Sequence, residues 1–200
     1  NDIVLVRFDL AAIRLAEILF AKLLEAGANP LLRLNPTAAM ERDFYTLSNN
    51  KQLVYIPPGE ETLFTRLNGS ISIFAPESIT HLSDVDPKKI GKVAVAQKAL
   101  RDVLNLREAR GSFSWTLCVV PTTELAGQAG ISLEEYTRQV VQACFLRNSD
   151  PVSKWRYIYD TARSLKKWLN SMKIKFLHIE SNHIDLEVNP GEKRQWVGIS

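Results

Sequence analysis

A strand, a helix and a second strand follow one another at the start of the chain with only short turns between them. Residues Ile3–Phe8 form a short, nearly continuous apolar run, which is typical of a buried strand. Apolar residues then recur at helical spacing over Leu10–Ala26, and Gly27 follows as a helix stop. The run Leu31–Leu34 comes next. This βαβ unit predicts two parallel strands joined by a right-handed crossover.

Strand and helix patterns continue to alternate along the rest of the chain. Further strands are predicted at 70–75, 113–120 and 174–180, and helices are predicted after Asn35-Pro36 (with Asn35 as cap), after Pro58-Gly59, and at 87–110, 133–146 and 152–172. Residues 184–188 and 194–199 are predicted to pair as a hairpin across the turn 189–192. The sequence thus predicts an α/β fold, with a Rossmann-like or flavodoxin-like layered sheet that is mostly parallel and a C-terminal β-hairpin.

One domain over residues 1–200 accounts for the length and the composition. A chain of 200 residues, 46% hydrophobic and 24% charged, with no repeat or linker, is typical of a single globular domain. The chain begins with Asn1 directly before a core strand and stops inside a predicted strand. Natural domains seldom end on an uncovered edge strand, so we expect a chain truncated at both ends.

Composition and charge disfavour membrane and nucleic-acid partners. No apolar run approaches the ~18 residues of a membrane span and no leader opens the chain, so we expect a cytoplasmic protein. Cys118 and Cys144 have apolar neighbours and are interpreted as buried, reduced thiols. The net charge is +3, and residues 150–200 carry nine basic against six acidic side chains. This excess lacks the density of a nucleic-acid surface and is interpreted as a solvated helix face.

Known catalytic and nucleotide-binding motifs are missing from the sequence. There is no glycine-rich phosphate loop, no His-Glu-x-x-His and no Gly-x-Ser-x-Gly. Asp9, at the end of the first strand, has two interpretations: it faces a ligand crevice, or it caps the following helix, which we favour. His81 lies in a loop before Asp84 and belongs to no recognisable constellation.

One cluster of possible metal ligands lies near the end of the chain. His178, Glu180, His183 and Asp185 fall within eight residues and are of the types that bind divalent metals. Their spacing matches no established motif. A polar strand end exposed to water is the favoured interpretation, and a metal site is the alternative.

Several short motifs of the second half follow one another in a recognisable order. They are the aromatic strand with its proline at 113–122, the helix over 132–144, Asp150-Pro151-Val152 with Trp155, and Asp185-Leu186 with Trp196 and Gly198. In order and spacing they resemble the thermophilic-type metallo-aminopeptidases called aminopeptidase T and aminopeptidase S. In the first half, Ala26-Gly27-Ala28 and the 87–110 helix with Gln97 have counterparts in the same family.

The resemblance implies that the chain is the N-terminal domain of a longer, dimeric enzyme that removes N-terminal residues from peptides. Members of that family use two divalent metal ions, zinc or cobalt, held by Glu, His and Asp in a segment that follows the hairpin. No ligand of that set matches a position in these 200 residues. We therefore assign no catalytic, cofactor-binding or metal-binding residue, and we expect this chain alone to be inactive, to need no cofactor and to help wall the substrate cavity.

Two other functions remain open at this point. A flavodoxin-like module would bind a small ligand at the strand ends. A non-catalytic interaction or dimerisation domain would instead use the basic last quarter, residues 150–200.

Overall fold

A parallel sheet organises the first part of the chain in the computed structural model, which describes residues 1–197. Its four strands are β1 (Ile3–Phe8), β2 (Asn29–Leu34), β3 (Gly69–Phe74) and β4 (Ser114–Val119), in the order β2-β1-β3-β4. All three ladders are parallel, and Val6 lies beside Leu32 of β2 and Ile71 of β3. The predicted α/β fold and its βαβ unit are confirmed.

Helices connect the strands and continue after them. Between β1 and β2 lie a 3-10 turn (Leu10–Ala12) and α1 (Ile13–Glu25). The other helices are α2 (Ala38–Leu47), α3 (Asn50–Leu53), α4 (Glu60–Arg66), α5 (Pro87–Ala96), α6 (Lys98–Ala109), α7 (Thr123–Gln128), α8 (Leu133–Ala143) and α9 (Pro151–Ser171). No helix of residues 1–197 is long and apolar enough to cross a membrane.

The two faces of the sheet carry separate apolar clusters because side chains alternate along a strand. On one face Val6, Phe8 and Ile73 pack with Ala12 and Ala16 beneath α1. On the other face Leu5 packs with Phe64 of α4 and Leu100 of α6, together with Leu67 and Phe113. A third cluster of Tyr45, Leu53 and Val85 joins α2 and α3 to the loop after β3. Helices thus cover both faces and leave the carboxyl ends of the strands open.

Glycine ends α1 as the sequence predicts. Gly27 has φ +77°, a left-handed conformation that costs little only for glycine. The Gly27 and Ala28 amides donate to the carbonyl groups of Leu24 and Leu23. This tight stop lets β2 begin at Asn29, directly beside Ile3 of β1.

The long helix predicted over 87–110 is two helices. Asp86 caps the first with a bond from the Lys88 amide, and Gln97, with φ −83° and ψ −1°, separates α5 from α6. No glycine or proline marks this break, so pattern reasoning merged the two helices.

The chain divides into two compact units, Asn1–Val140 and a second that begins at Val141. The second contains α9 and an antiparallel sheet of β5 (Leu177–Ser181) and β6 (Ile184–Val188). The predicted C-terminal hairpin is therefore present, but its pairing is corrected. Ser181 pairs with Ile184 across Asn182-His183, whereas 194–197 form no strand and 198–199 lie outside the described residues. The Pro-Gly turn signal at 190–191 led to the wrong partner.

Candidate functional site

A cleft of about 320 Å³ opens beyond the carboxyl ends of β1, β2 and β3. The strand order reverses between β1 and β3, and such switch points are where open α/β sheets bind ligands. The polar residues that line the cleft come from three connections: Asp9 after β1, Asn35, Thr37 and Glu41 after β2, and Glu77, Ser78 and His81 after β3. Leu10, Pro36 and Phe74 add apolar surface.

Asp9 joins all three strand ends through its carboxylate. Its Oδ1 accepts from Asn35 Nδ2 at 2.7 Å, and its Oδ2 accepts from the Ala75 amide at 2.6 Å. It makes no side-chain capping bond to the 3-10 turn that follows it. Asp9 therefore occupies the N-cap position, as predicted, but its carboxylate lines the cleft instead of capping the turn. The carboxylate bonds to Asn35 and Ala75, which lie 26 and 66 residues away in the sequence, rather than to a neighbouring amide.

The helix after β2 has a different cap from the one predicted. Thr37 Oγ1 accepts from the Met40 amide at 3.3 Å, and α2 begins at Ala38. Asn35 was predicted to cap this helix, but its side-chain amide is directed to Asp9. The segment from Asn35 to Thr37 therefore forms one wall of the cleft.

His81 has defined partners, contrary to the expectation from sequence. Its Nδ1 lies 3.1 Å from the Ser78 carbonyl oxygen, and its Nε2 lies 2.8 Å from Glu41 Oε2. A carbonyl oxygen only accepts, so Nδ1 carries the proton of the first bond. The second contact needs a further proton, and it is an ion pair when the ring carries that proton. His81 thereby ties the loop after β3 to α2.

An arginine of α2 forms further hydrogen bonds to the loop after β3. Arg42 of α2 donates to both carboxylate oxygens of Asp84 and, at 3.1 Å, to the His81 carbonyl oxygen. This bidentate bond lowers the pKa of Asp84 and raises the pKa of Arg42. Both groups are solvent-exposed, so the pair positions the loop more than it stabilises the fold.

A second cavity of about 200 Å³ lies against α2 and shares Pro36 and Glu41 with the cleft. Its walls are mainly apolar and aromatic, with Phe44, Tyr45 and Tyr55 among them. Burial raises the pKa of Tyr45, and the charge of Glu41 raises it further. Glu41 thus stands between a polar cleft and an apolar cavity.

Comparison with known proteins assigns the chain to a family. The sequence profile described as "Thermophilic metalloprotease (M29)" matches residues 1–200. The chain belongs to the M29 family. This confirms the resemblance drawn from the motifs of the second half. M29 proteins are metallopeptidases, a class of hydrolases.

A solved structure shares the fold of this M29 chain. Wild-type AmpT from Thermus thermophilus superposes with a TM-score of 0.72 and 18% sequence identity. The match covers 94% of this chain and 48% of the AmpT chain, so the chain spans about half the length of that protein. No curated protein sequence matches the chain.

The hairpin of this M29 chain brings together part of the metal-ligand cluster considered from sequence. His178 Nε2 lies 2.6 Å from Asp185 Oδ1, Glu180 pairs with Asp185 across the strands, and His183 lies in the turn. Over residues 1–197 no three His, Cys, Asp or Glu side chains form a group that could hold a metal ion. The described donor set does not fit the metal that the family implies. Cys118 and Cys144, expected to be buried, are both only partly buried.

Sequence reasoning missed most of the cleft. Glu41 and Glu77 carried no motif, and Asn35 was assigned a local role. One signal was present: Asp9 and Asn35 each come directly after a strand of the parallel sheet, and parallel strands end at the same edge of a sheet.

Proposed function

We propose that this chain is the N-terminal domain of a metal-dependent aminopeptidase that removes N-terminal residues from peptides. The observation that carries the proposal is the M29 match over residues 1–200, together with a fold shared with about half of AmpT. In this proposal residues 1–200 form one domain, and a metal-bearing domain follows with two divalent ions, zinc or cobalt. The chain alone is inactive and supplies no catalytic or metal-binding residue.

The remaining features of the proposal concern the assembled enzyme. The chain helps wall the substrate cavity. The full protein acts in the cytoplasm as a homodimer on peptides, with neither nucleic acid nor membrane as a partner.

The apolar face of the hairpin supports a role beside another domain. Cross-strand partners share a face, so Ile179, Leu186 and Ile184 lie on one side and the polar residues His178 and Glu187 on the other. The three apolar side chains are 48%, 48% and 54% exposed. Burying such a face is favourable. We propose that the metal-bearing domain covers it, since the chain spans 48% of AmpT.

Activity of the full-length protein tests the proposal. The full-length protein and the 200-residue chain are each assayed with leucyl-p-nitroanilide and with zinc or cobalt. We expect turnover only from the full-length protein. The proposal fails if the full-length protein with metal does not hydrolyse aminoacyl substrates, or if the chain alone does so.

A pair of variants tests the covered face. Leu186→Asp places a charge on the apolar side of the hairpin, and Glu187→Gln is its control on the polar side. We expect Leu186→Asp to lower the activity and the melting temperature of the full-length protein, with little effect on the isolated chain. Glu187→Gln should change neither. Equal effects of the two variants would contradict the covered face.

The cleft supports a second candidate function, the binding of a small ligand. The cleft at the β1/β3 switch point is placed where α/β modules bind small ligands. This function predicts a saturable rise in the melting temperature of the isolated chain with one member of a metabolite panel, and a loss of that rise on Glu77→Ala. No rise with any member would count against it.

A further inference from the structure

Two arginines lie side by side on one face of the sheet. Arg7 of β1 and Arg33 of β2 are register partners in the parallel ladder. Both lie on the face that carries Leu5, which packs against α4 and α6. Neither residue lines the cleft at the strand ends.

One carboxylate, that of Glu60, interacts with both guanidinium groups, but only Arg33 forms hydrogen bonds with it. Glu60 of α4 accepts from Arg33 Nη2 at 2.7 Å and from Nη1 at 3.1 Å. The Glu60 side chain is only 15% exposed. Arg7 interacts with Glu60 through its charge alone, without a hydrogen bond. The three charged groups therefore carry one positive charge in excess.

The guanidinium group of Arg7 has no hydrogen-bond partner among residues 1–197. Its Nε is buried and unpaired, and its guanidinium carbon lies 5.8 Å from the centre of the Phe64 ring. Burial lowers the pKa of Arg7, the charge of Arg33 lowers it further, and Glu60 partly opposes them. Buried donors without partners are rare in folded proteins. The side chain is only partly buried, so its terminal nitrogens can be reached from outside.

We propose that Arg7, with Arg33 beside it, binds a carboxylate carried by a small molecule or by the C-terminus of a peptide. A carboxylate matches the planar fork of a guanidinium, and its one negative charge balances the excess. A phosphate dianion would leave a net negative charge beside the buried carboxylate of Glu60. The inference does not depend on peptidase activity, and it concerns a face of the sheet to which no role has been assigned above.

Thermal unfolding with matched ligands tests the site. The probes are acetate, N-acetyl-leucine and N-acetyl-leucinamide, each at an ionic strength held constant with sodium chloride. We expect saturable increases in Tm with N-acetyl-leucine and none with the amide, which lacks the carboxylate. An equal effect of acetate indicates a site for free small carboxylates, and an effect of N-acetyl-leucine alone indicates a peptide C-terminus.

Two variants separate the site from non-specific anion effects. Arg7→Met should weaken the apparent affinity for N-acetyl-leucine by about 10-fold or more, since charge-assisted bonds are lost. Arg14→Met, which removes an exposed arginine paired with Glu17, should leave it unchanged. The proposal is overturned if carboxylates act no better than chloride or the amide, or if Arg7→Met responds like the unmodified protein.

A direct readout keeps the proposal testable if Arg7→Met does not fold. The Arg7 Nε–H resonance, assigned with Arg7→Lys, is followed by NMR in the unmodified protein. A saturable shift with N-acetyl-leucine but not with its amide supports the site. An unchanged resonance overturns it.

Discussion

The side-chain amide of Asn35 donates to the carboxylate of Asp9 at 2.7 Å, joining the ends of two neighbouring parallel strands. The second oxygen of Asp9 accepts from the Ala75 amide beyond β3. One carboxylate thus links the connections that follow β1, β2 and β3, and it lines the cleft. The side chain that a local rule assigns to a helix cap instead organises the site.

Replacing Asp9 by Asn should destabilise the protein by about 1–3 kcal/mol. An amide cannot accept at both positions, so one of the two part-buried donors loses its partner. Urea unfolding followed by tryptophan fluorescence measures the change. Asp2→Asn, in an exposed position before β1, is the matched control and should be close to neutral. Equal stability of the two variants would mean that water replaces the network at no cost.

The contact between Arg42 and Asp84 should weaken in acid. The pKa of Asp84 lies below its usual 3.8 because Arg42 donates to its carboxylate. A depressed carboxyl pKa adds stability that is fully present above the unfolded pKa and is lost as the pH falls through the folded pKa. NMR titration of the Asp84 carboxyl should show a midpoint below 3.8 that rises in Arg42→Met. Arg101→Met should leave the midpoint where it is.

Phe145 should be replaced more easily by glycine than by alanine. It is the non-glycine residue with positive φ, +57°, in the described part of the chain, and its ring packs edge-on against Trp155 at 5.7 Å. Both variants lose the ring, but alanine also keeps the strain of the left-handed conformation, about 1 kcal/mol. We expect Phe145→Gly to be the more stable by about that amount in chemical denaturation. A more stable Phe145→Ala would show that the backbone relaxes at this position.

The hairpin should not bind zinc or cobalt at stoichiometric levels. His178 is paired with Asp185, and the described residues bring no third ligand into position. Isothermal titration and elemental analysis of the purified chain measure this directly. His178→Ala should leave any weak binding unchanged. Tight binding that this variant abolishes would reveal a site assembled by the cluster 178–185.

Local sequence patterns were sufficient to predict most of the strands and helices and much of their arrangement. The apolar run at Ile3–Phe8 and the stop at Gly27 predicted the βαβ unit, because strand burial and helix termination depend on neighbouring residues. The same reasoning failed where a turn lacked its usual residues. The two-residue turn at Asn182-His183 has no glycine, so the hairpin was given the wrong second strand.

The sequence by itself therefore determined the α/β class, the parallel pairing and the family, since these rest on periodicity, turn chemistry and short ordered motifs. Only the tertiary structure decided the surroundings of Asp9, His81 and Arg7. Asp9 bonds to Asn35 and Ala75, His81 to Glu41, and Arg7 stands beside Arg33 without a hydrogen bond. These partners lie 26 to 66 residues apart in the chain. The positions of Asp9 and Asn35 after strands indicate that both lie at one edge of the sheet, but the bonds that they form there depend on the strand order, which no local pattern specifies.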